Sequence, residues 1–408
     1  MVTTTDAPLT PLEFAERRAA GTQKEDGPYG HVTPSAHAFW TPDGPLEVVD
    51  TDEGDDTVRV AARGALLPGL PVRSSDRGEV VTRSLAERRD AAYMRERHGR
   101  DPRTDADEGS REPDNEPYRP QGVPDGAPLV VASLGEARYG INSRGHRTLL
   151  SAPHSTIING ESRSLVYPSN YPYTAVCKLY VRYHATTGGS WLYASEATGF
   201  MVGPRAMVTS GHVQPPAGRP WQIQVIPGCW NGQSVFGAGL VSYVSDTKWW
   251  NSDAGSDIQI CRLYDALGDR VGWFGTKNYS SSWEDREYWT MAGFPYDINL
   301  THMSHETAIA VRDDDDGDDI RVDGRTYDTT QVESDADEAS GASGSPLWGT
   351  WDGGAYALGV HHGVEHDGTV FGTETLSCAS GGDGFLAAVN WARRLWGLSP
   401  GSHRARFT

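Results

Sequence analysis

From about residue 155 onward, the chain is a series of short runs rich in β-branched and aromatic residues, separated by Gly, Pro, Asn and Asp. The runs are "AVCKLYVRY", "TGFMVG", "AMVTSG", "WQIQVIPG", "LVSYVS", "DIQICRL", "REYWTMAGF", "SPLWGT" and "YALGVHHG". Strands at this spacing, with no helical periods between them, predict an all-β sandwich or a pair of barrels.

One helix is predicted to close this region. In "DGFLAAVNWARRLWG", Asp383 can cap the helix and Gly397 can end it. The apolar stripe is expected to consist of Phe385, Leu386, Val389 and Leu395.

The residues that could fill a core are concentrated in the same part of the chain. All four Cys and twelve of the 13 Trp lie beyond residue 175, whereas residues 1–125 are polar, charged and rich in Pro. The predicted domains are therefore residues 1–155, a largely irregular accessory region, and residues 156–400, the folded core. Two short helices are expected in the first part, with capping boxes at Thr10 and Glu13 and at Ser84 and Glu87.

The formal net charge of −19 disfavours nucleic acid and anionic membranes as partners, because both carry the same sign as the chain. No apolar run approaches the roughly 18–20 residues needed to cross a bilayer. The first residues, "MVTTTDAPLTPLEFAERRAAG", lack the basic-then-apolar order of a signal peptide, so the sequence alone leaves the compartment open.

The four Cys lie at positions 177, 229, 261 and 378. An even number in the core allows two disulfides in any of three pairings, or four reduced and buried thiols. Their spacing fits no metal site.

Two further patterns are similar to metal sites but fail on position. In "RDDDDGDD", from Arg312 to Asp319, the register of a calcium loop would put Arg312 at the first ligand position, so a solvated hairpin loop is predicted instead. The sequence "HGVEH", from His362 to His366, matches an inverted zinc-protease motif that requires a helix. Here it continues a strand-like alternation, so no metal is expected.

The stretch "EASGASGSPLW" carries the first chemical signal. Ser343 follows Gly341 by two residues, so the N–H groups of Gly341 and Ser343 can point at one spot and bind a developing oxyanion. A hydroxyl is a poor nucleophile unless a base removes its proton, so a His and an orienting acid are required elsewhere.

Both partners occur upstream, at predicted strand boundaries. His212 lies at the end of "TGFMVGPRAMVTSGHV", and Asp257 opens "SDIQICRL". The order His, Asp, Ser is that of the chymotrypsin-like double barrel, and it differs from the order in subtilisins and α/β-hydrolases.

At these residues the sequence resembles the trypsin-fold serine endopeptidases, and most closely the bacterial glutamyl endopeptidases. The resemblance covers residues ~157–400 and includes "YPYTAV", "TGFMVGPRAMVTSGHV", "VIPGCWNG", "DRVGWFG", "MAGFP", "SGASGSPLW" and "LGVHHG". It implies two six-stranded antiparallel β-barrels with a C-terminal helix, secretion, a propeptide, and peptide hydrolysis through an acyl-enzyme with no cofactor. We expect a monomer that acts on protein or peptide substrates.

The resemblance also implies a role for each site residue. His212 is the general base, Asp257 is its orienting carboxylate, and Ser343 is the nucleophile. The N–H groups of Gly341 and Ser343 form the oxyanion hole.

Three departures from the family pattern are visible. Val213 stands where trypsin-like enzymes have a Cys, and Ala342 stands where trypsin has the Asp that captures a newly formed N-terminus. Asp337 and Glu338 stand where glutamyl endopeptidases have small hydroxyl residues.

The sequence gives conflicting signals about substrate specificity. By resemblance, His361 holds a substrate carboxylate and selects Glu or Asp on the acyl side of the cut bond. Asp337 lies six residues before Ser343, the spacing at which trypsin-like enzymes select Arg or Lys, and Glu338 is beside it. Either acid could pair with His361 and cancel its attraction for an acidic substrate, or both could face solvent in an inserted loop. Acidic preference is the prediction, with basic preference and a catalytically silent binding module as alternatives.

Overall fold

The computed structural model describes the chain with several gaps. The described residues are 7–11, 13, 40–41, 44–51, 58–62, 74–81, 112–134, 139–141, 147–149, 155–158, 160–184, 192–215, 217–218, 220–298, 301–352, 354–369 and 372–396. In the first 155 residues, the strands are β1 (Trp40–Thr41), β2 (Gly44–Thr51), β3 (Val58–Ala62), β4 (Ser74–Arg77), β5 (Glu79–Val81), β6 (Leu129–Ser133), β7 (Tyr139–Ile141) and β8 (Arg147–Leu149).

The next part of the chain forms a closed antiparallel barrel. The strands from residue 155 to residue 263 are β9 (Ser155–Thr156), β10 (Ser164–Tyr167), β11 (Val176–His184), β12 (Leu192–Met201), β13 (Ala206–Thr209), β14 (Trp221–Pro227), β15 (Cys229–Trp230), β16 (Gln233–Ser234), β17 (Ser242–Trp250) and β18 (Ile258–Leu263). Six of them pair in the ring β12, β11, β14, β17, β18, β13, and β13 pairs back to β12. The barrel is therefore closed without a free edge.

Alternation along the strands fills this first barrel. Leu179 and Val181 of β11 pack with Ile223 and Val225 of β14 in one core, because alternate side chains of a strand share a face. On the other face of β11, Lys178 forms a fully buried ion pair with Glu196 of β12, at 2.7 Å.

The second half of the core forms another barrel. The elements from residue 268 to residue 396 are α1 (Gly268–Val271), β19 (Gly275–Thr276), β20 (Trp289–Gly293), β21 (Ser304–Ile309), β22 (Val311–Asp316), β23 (Asp319–Val322), β24 (Arg325–Tyr327), β25 (Thr330–Ser334), β26 (Glu338–Ala339), β27 (Pro346–Trp351), β28 (Gly354–Thr369), β29 (Gly372–Gly381) and α2 (Gly382–Trp396). The sheet runs β22, β25, β29, β28, β27, β20, β21, and only Ala310 separates β21 from β22. The near-continuous β21 and β22 thus close the sheet on itself, and the all-β double-barrel architecture with a C-terminal helix is confirmed.

The C-terminal helix buries most of the predicted stripe. Phe385, Leu386 and Val389 are fully buried in the main core, as expected. The prediction is wrong for Leu395, which is 50% exposed, because the helix turns Trp396 inward at that end instead.

The acidic run and the "HGVEH" motif both lie in strands. The prediction of a solvated hairpin loop is wrong for the acidic run, because Arg312 to Asp316 lie within β22, Asp319 begins β23, and Asp316 and Asp318 are buried. His362 to His366 lie within β28, so the expected strand is confirmed there.

The N-terminal part adds strands to the sheets of both barrels. In the sheet of the first barrel, β3 pairs with β12 and β4 pairs in parallel with β17. In the sheet of the second barrel, β6 pairs with β10. A separate, smaller sheet contains the pairing of β5 with β23. The capping box at Thr10 and Glu13 is formed, with reciprocal backbone-to-side-chain bonds of 2.8 and 3.2 Å. The second predicted helix, residues 84–99, lies outside the described residues.

All four Cys lie in described parts of the chain, and all four are buried with free thiols. Of the two states that the sequence leaves open, the structure therefore has the reduced one. Among the described helices, none is long and apolar enough to cross a membrane.

Candidate active site

His212 lies in a short 3-10 turn, Gly211–Val213, directly after β13. The residue before it must be glycine, because a Cβ at position 211 would lie 2.0 Å from the Trp250 carbonyl oxygen and 2.7 Å from Asp257 Oδ1. This close approach brings the turn against the start of β18, where Asp257 lies.

Asp257 binds both the backbone and the ring of His212. Its Oδ1 accepts the His212 backbone N–H at 2.7 Å, and its Oδ2 lies 2.5 Å from Nδ1 of the ring. Burial alone would raise the pKa of Asp257, but the charge and hydrogen bonds of His212 outweigh it and hold that pKa below its usual range. The carboxylate therefore stays ionised at neutral pH and fixes the ring with Nδ1 as donor and Nε2 as the nitrogen that can accept a proton.

Ser343 lies in the turn between β26 and β27, and it is fully buried. We call residues 340–345 the nucleophile loop. Its Gly341 and Gly344 have φ values of 93° and 91°, in the left-handed region that favours glycine. A Cβ on Gly344 would also lie 1.9 Å from the Thr198 carbonyl oxygen. Ser343 Oγ makes no hydrogen bond with any described residue.

Carbonyl groups of the nucleophile loop are held by hydrogen bonds. The Ser340 carbonyl accepts from the Tyr296 N–H at 2.7 Å, and the Ala342 carbonyl accepts from the Ser345 N–H at 2.8 Å. In a trans peptide the N–H points opposite to the carbonyl, so these bonds fix the directions of the Gly341 and Ser343 N–H groups. Neither N–H donates to a backbone acceptor among the described residues.

One carbonyl accepts hydrogen bonds from residues next to both turns. The His361 carbonyl oxygen accepts from Ser210 Oγ at 2.6 Å and from the Gly344 N–H at 2.7 Å. Ser210 is two residues from His212, and Gly344 follows Ser343. The turn that carries His212, which is bonded to Asp257, and the turn that carries Ser343 are therefore linked through the His361 carbonyl.

The predicted specificity residue His361 is buried beside Glu338. His361 Nε2 lies 3.5 Å from Glu338 Oε2, and the two side chains are 1% and 3% exposed. His361 Nδ1 lies 3.3 Å from Ser377 Oγ. Neither His361 Nε2 nor Glu338 Oε2 makes a hydrogen bond with a described residue. We call His361 and Glu338 the pocket wall, because the sequence prediction places them in the substrate pocket.

Asp337 points away from His361. Its two carboxylate oxygens accept the backbone N–H groups of Ile158 and Ser162, at 2.7 and 2.9 Å. Its own N–H donates to Glu306 Oε2 at 2.6 Å, and burial raises the pKa of Glu306 to about 7. The alternative in which Asp337 and Glu338 face solvent is wrong, since both are buried. Of the two acids, only Glu338 lies against His361.

His362 is a site neighbour that the sequence suggested only as a false zinc ligand. Burial lowers its pKa to about 4, although the nearby Asp257 acts in the opposite direction. His362 is therefore neutral at neutral pH. It lines a cavity of about 470 Å³ with Asp253, Asp316 and Glu365.

Beside the same cavity, three possible metal donors cluster on the second barrel. Oxygen atoms of Glu333 and Glu365 and the sulfur of Cys378 lie within 4.8 Å of one another. Burial raises the pKa of Glu333 to about 7 and also raises that of the Cys378 thiol, so protons compete with a cation there.

Sequence reasoning missed Thr198, which contacts the nucleophile loop. Its N–H donates to the Ser343 carbonyl at 2.9 Å, and its hydroxyl donates to the Gly341 carbonyl at 2.9 Å. The only signal in the sequence is a Thr between apolar residues of a strand, at the start of "TGFMVG".

Comparisons with known proteins find proteases. No family model matches the chain. The extracellular metalloprotease of Bacillus subtilis (strain 168) is 24% identical over 238 residues, which are 57% of this chain and 70% of that protein. A Glu endopeptidase solved in complex with MPD is 18% identical, with a TM-score of 0.41, over 59% of this chain and 100% of that one. The protease Anisep from Arthrobacter nicotinovorans is 16% identical, with a TM-score of 0.37, over 55% of this chain and 99% of that one.

Proposed function

We propose that the chain is a serine endopeptidase that hydrolyses peptide bonds through an acyl-enzyme on Ser343. The observation that carries the proposal is that two turns bind the same His361 carbonyl. One turn holds the His212–Asp257 pair. The other holds Ser343 and the N–H groups of Gly341 and Ser343, which have no backbone acceptor among the described residues. A base, an orienting carboxylate, a hydroxyl and two donors are the parts that acyl transfer requires.

In the first half of the reaction, Ser343 Oγ attacks the carbonyl carbon of the substrate and gives its proton to His212 Nε2. The carbonyl oxygen becomes an oxyanion, which accepts hydrogen bonds from the N–H groups of Gly341 and Ser343. Asp257 keeps the ring in the required tautomer and stabilises the imidazolium. His212 then gives the proton to the leaving amine nitrogen, the C–N bond breaks, and an ester on Ser343 remains.

In the second half, water replaces the amine. His212 Nε2 takes a proton from the water as its oxygen attacks the ester carbon, and the same N–H groups bind the second oxyanion. Collapse of this intermediate breaks the ester bond, returns the proton to Ser343 Oγ and releases the acid product. The scheme needs no cofactor.

For specificity, we propose that His361 attracts Glu or Asp on the acyl side and that Glu338 opposes this attraction. His361 can donate a hydrogen bond to a substrate carboxylate, but the Glu338 carboxylate already faces the same nitrogen at 3.5 Å. The alternative preference for Arg or Lys would have to use Glu338, because Asp337 is occupied by the N–H groups of Ile158 and Ser162. The expected acidic preference is therefore weaker than it would be in a pocket that contains His361 alone.

Residues 1–155 are proposed to be a prosegment or accessory region. The boundary falls at β9, which pairs with β26, the strand that contains Glu338. Mass spectrometry of active protein tests this: active material that begins near residues 147–157 supports it, whereas full activity of intact chain that begins at Met1 contradicts it.

A metal-dependent reaction, which the name of the Bacillus subtilis metalloprotease indicates for that protein, finds less support in this chain. His362 and His366 lie four residues apart on a strand, which separates their backbones by about 13 Å, whereas one turn of helix would bring them to one side of an ion.

A second candidate function, a catalytically silent binding module, is favoured by the complete burial of Ser343. Labelling with a fluorophosphonate separates the two, because only an activated Ser reacts with this reagent. We expect labelling of the wild-type protein and hydrolysis of a peptide library, and loss of both in Ser343→Ala. Absence of labelling in both the full chain and a fragment that begins near Ile157 would overturn the proposed function.

A further inference from the structure

Thr198 makes four hydrogen bonds, and three of them reach the nucleophile loop or the second barrel. Its N–H donates to the Ser343 carbonyl at 2.9 Å, and its hydroxyl donates to the Gly341 carbonyl at 2.9 Å. The hydroxyl oxygen accepts from the Phe294 N–H at 3.0 Å. The Thr198 carbonyl accepts from Thr209 Oγ1 at 2.7 Å.

The direction of the hydroxyl proton is fixed by these partners. The Phe294 N–H can only donate, so it occupies a lone pair of the Thr198 oxygen, and the Thr198 proton is directed to the Gly341 carbonyl. Thr198 is fully buried, so water has no access to replace either bond. Its side chain points toward the second barrel because its neighbour Ala197 on β12 points into the first barrel core.

The two carbonyls that Thr198 binds belong to the same two residues whose N–H groups have no backbone acceptor. The peptide unit between Gly341 and Ala342 lies between these two N–H groups in the chain. Its carbonyl oxygen, that of Gly341, accepts from the Thr198 hydroxyl. Its N–H, that of Ala342, donates to the Ala339 carbonyl at 2.9 Å. Gly341 has no Cβ to restrict its torsions. Without the Thr198 hydroxyl, this peptide unit therefore loses one of the two hydrogen bonds that fix its orientation.

We propose that Thr198 is a positioning residue, whose hydroxyl sets the relative directions of the Gly341 and Ser343 N–H groups for binding of the oxyanion. The inference rests on the proposed function, since it assigns a role within the same reaction. Thr198 does not touch the substrate and acts only through the loop. Its effect should therefore be confined to the transition state, where the oxyanion exists, and should not reach substrate binding.

The test compares Thr198→Val, which keeps the shape and removes the hydroxyl, with Thr198→Ser, which keeps the hydroxyl. Titration with a fluorophosphonate counts the active sites, so that kcat is expressed per reactive Ser343. For Thr198→Val we expect kcat to fall by about 10–100-fold with KM changed by less than about threefold. Thr198→Ser should stay within about threefold of the wild type in both constants.

Inhibitor binding supplies a readout that a purely structural role would not change. A peptide aldehyde forms a hemiacetal with Ser343 and places an oxyanion in the site, so its Ki should weaken in Thr198→Val by about the same factor as kcat falls. The Ki of the product peptide, which forms no oxyanion, should be unchanged within about threefold. The matched control is Thr174→Val, which removes another fully buried hydroxyl that donates to a carbonyl, that of Val271 at 2.6 Å, outside the nucleophile loop.

A value of kcat per titrated site in Thr198→Val within about twofold of the wild type would overturn the proposal. Equal weakening of the aldehyde and the product peptide would overturn it as well. If Thr198→Val does not fold, Thr198→Ala replaces it with the same expectations. Failure of the wild-type protein to label or hydrolyse removes the proposed function itself, and that result is obtained before any Thr198 variant is made.

Discussion

The nucleophile loop and the pocket wall lie next to each other, but they use their polar groups in different ways. In the loop, the Ser340, Ala342 and Ser343 carbonyls accept from backbone N–H groups, and the Gly341 carbonyl accepts from the Thr198 hydroxyl. In the wall, two side-chain atoms, His361 Nε2 and Glu338 Oε2, face each other at 3.5 Å, and neither makes a hydrogen bond with a described residue. Hydrogen bonds to its carbonyl groups thus fix the nucleophile loop, whereas the pocket wall consists of two side chains.

This difference separates the reaction from its selectivity. Changes that disturb the loop should reduce the rate with every substrate, because the oxyanion is common to all peptide bonds. Changes in the wall should alter the ranking of substrates and leave the chemical step intact.

The largest effect is expected from loss of the reacting groups. Ser343→Ala and His212→Ala should each reduce kcat by about 10⁴-fold or more, and the double variant should be scarcely worse than either, because the residues act as one unit. The pocket wall is untouched, so both variants should bind a product peptide with wild-type affinity in calorimetry. Additive losses in the double variant would contradict the shared mechanism.

Gly344→Ala should damage the loop without removing a reacting group. Its φ of 91° is strained for alanine, and the new Cβ would lie 1.9 Å from the Thr198 carbonyl oxygen, so the loop must shift. We expect kcat to fall by about 10²–10³-fold for acidic and neutral substrates alike. Gly324→Ala is the matched control: its φ is 80°, but nothing lies within 4 Å of the new Cβ. That variant should lose only about 1–2 kcal/mol of unfolding free energy and keep its kcat.

His361→Ala should damage only the wall. The value of kcat/KM for substrates with Glu on the acyl side should fall by about 10–100-fold, the worth of one hydrogen bond to a charged group. Substrates with a neutral residue at that position should change by less than about threefold. An equal loss with both kinds of substrate would show that His361 supports the loop rather than selects the substrate, through its carbonyl bonds to Ser210 and Gly344.

The sequence predicts the loop far better than the wall, and the reason is physical. Gly341, Ser343 and Gly344 leave a local signature, because a turn with positive φ needs glycine at fixed offsets. The strand runs and the order of His212, Asp257 and Ser343 similarly give the double barrel and the candidate site. The direction of Asp337 depends instead on Ile158 and Ser162, which lie 179 and 175 residues away in the chain. No local pattern reports such contacts, and the same holds for the hydroxyl of Thr198, 143 residues from Gly341.

Glu306, which binds the residue next to Glu338 of the pocket wall, titrates near neutral pH, and this predicts that the free energy of unfolding depends on pH. Glu306 accepts the Asp337 N–H, and burial raises its pKa from 4.5 to about 7. Between about pH 4.5 and pH 7, the folded state holds a proton that the unfolded state has lost, so stability falls as the pH rises through this window and levels off above it.

Urea unfolding at pH 5 and pH 8 measures this effect. We expect the wild-type protein to lose about 2 kcal/mol more unfolding free energy between these pH values than Glu306→Gln does. The comparison with the variant is needed because burial raises the pKa of Glu333 to about 7 and also raises the pKa of Asp337. Both shifts act on stability in the same direction as that of Glu306. Identical pH dependence in the two proteins would exclude Glu306 as a source.

The smallest effect is expected from Glu338→Gln, and it tests the wall from its other side. The substitution removes a negative charge 3.5 Å from His361 Nε2 and keeps the volume of the side chain. A substrate carboxylate would then meet less repulsion, so kcat/KM for Glu substrates should rise by about 3–10-fold, and that for Arg substrates should fall. Asp337→Asn is the matched control, because it removes one charge from the neighbouring residue, whose carboxylate binds Ile158 and Ser162 instead of facing His361. It should lower stability and leave the ranking of substrates unchanged. If Asp337→Asn changes that ranking more than Glu338→Gln does, the assignment of Glu338 to the pocket wall is wrong, and the trypsin-like position of Asp337 governs selectivity instead.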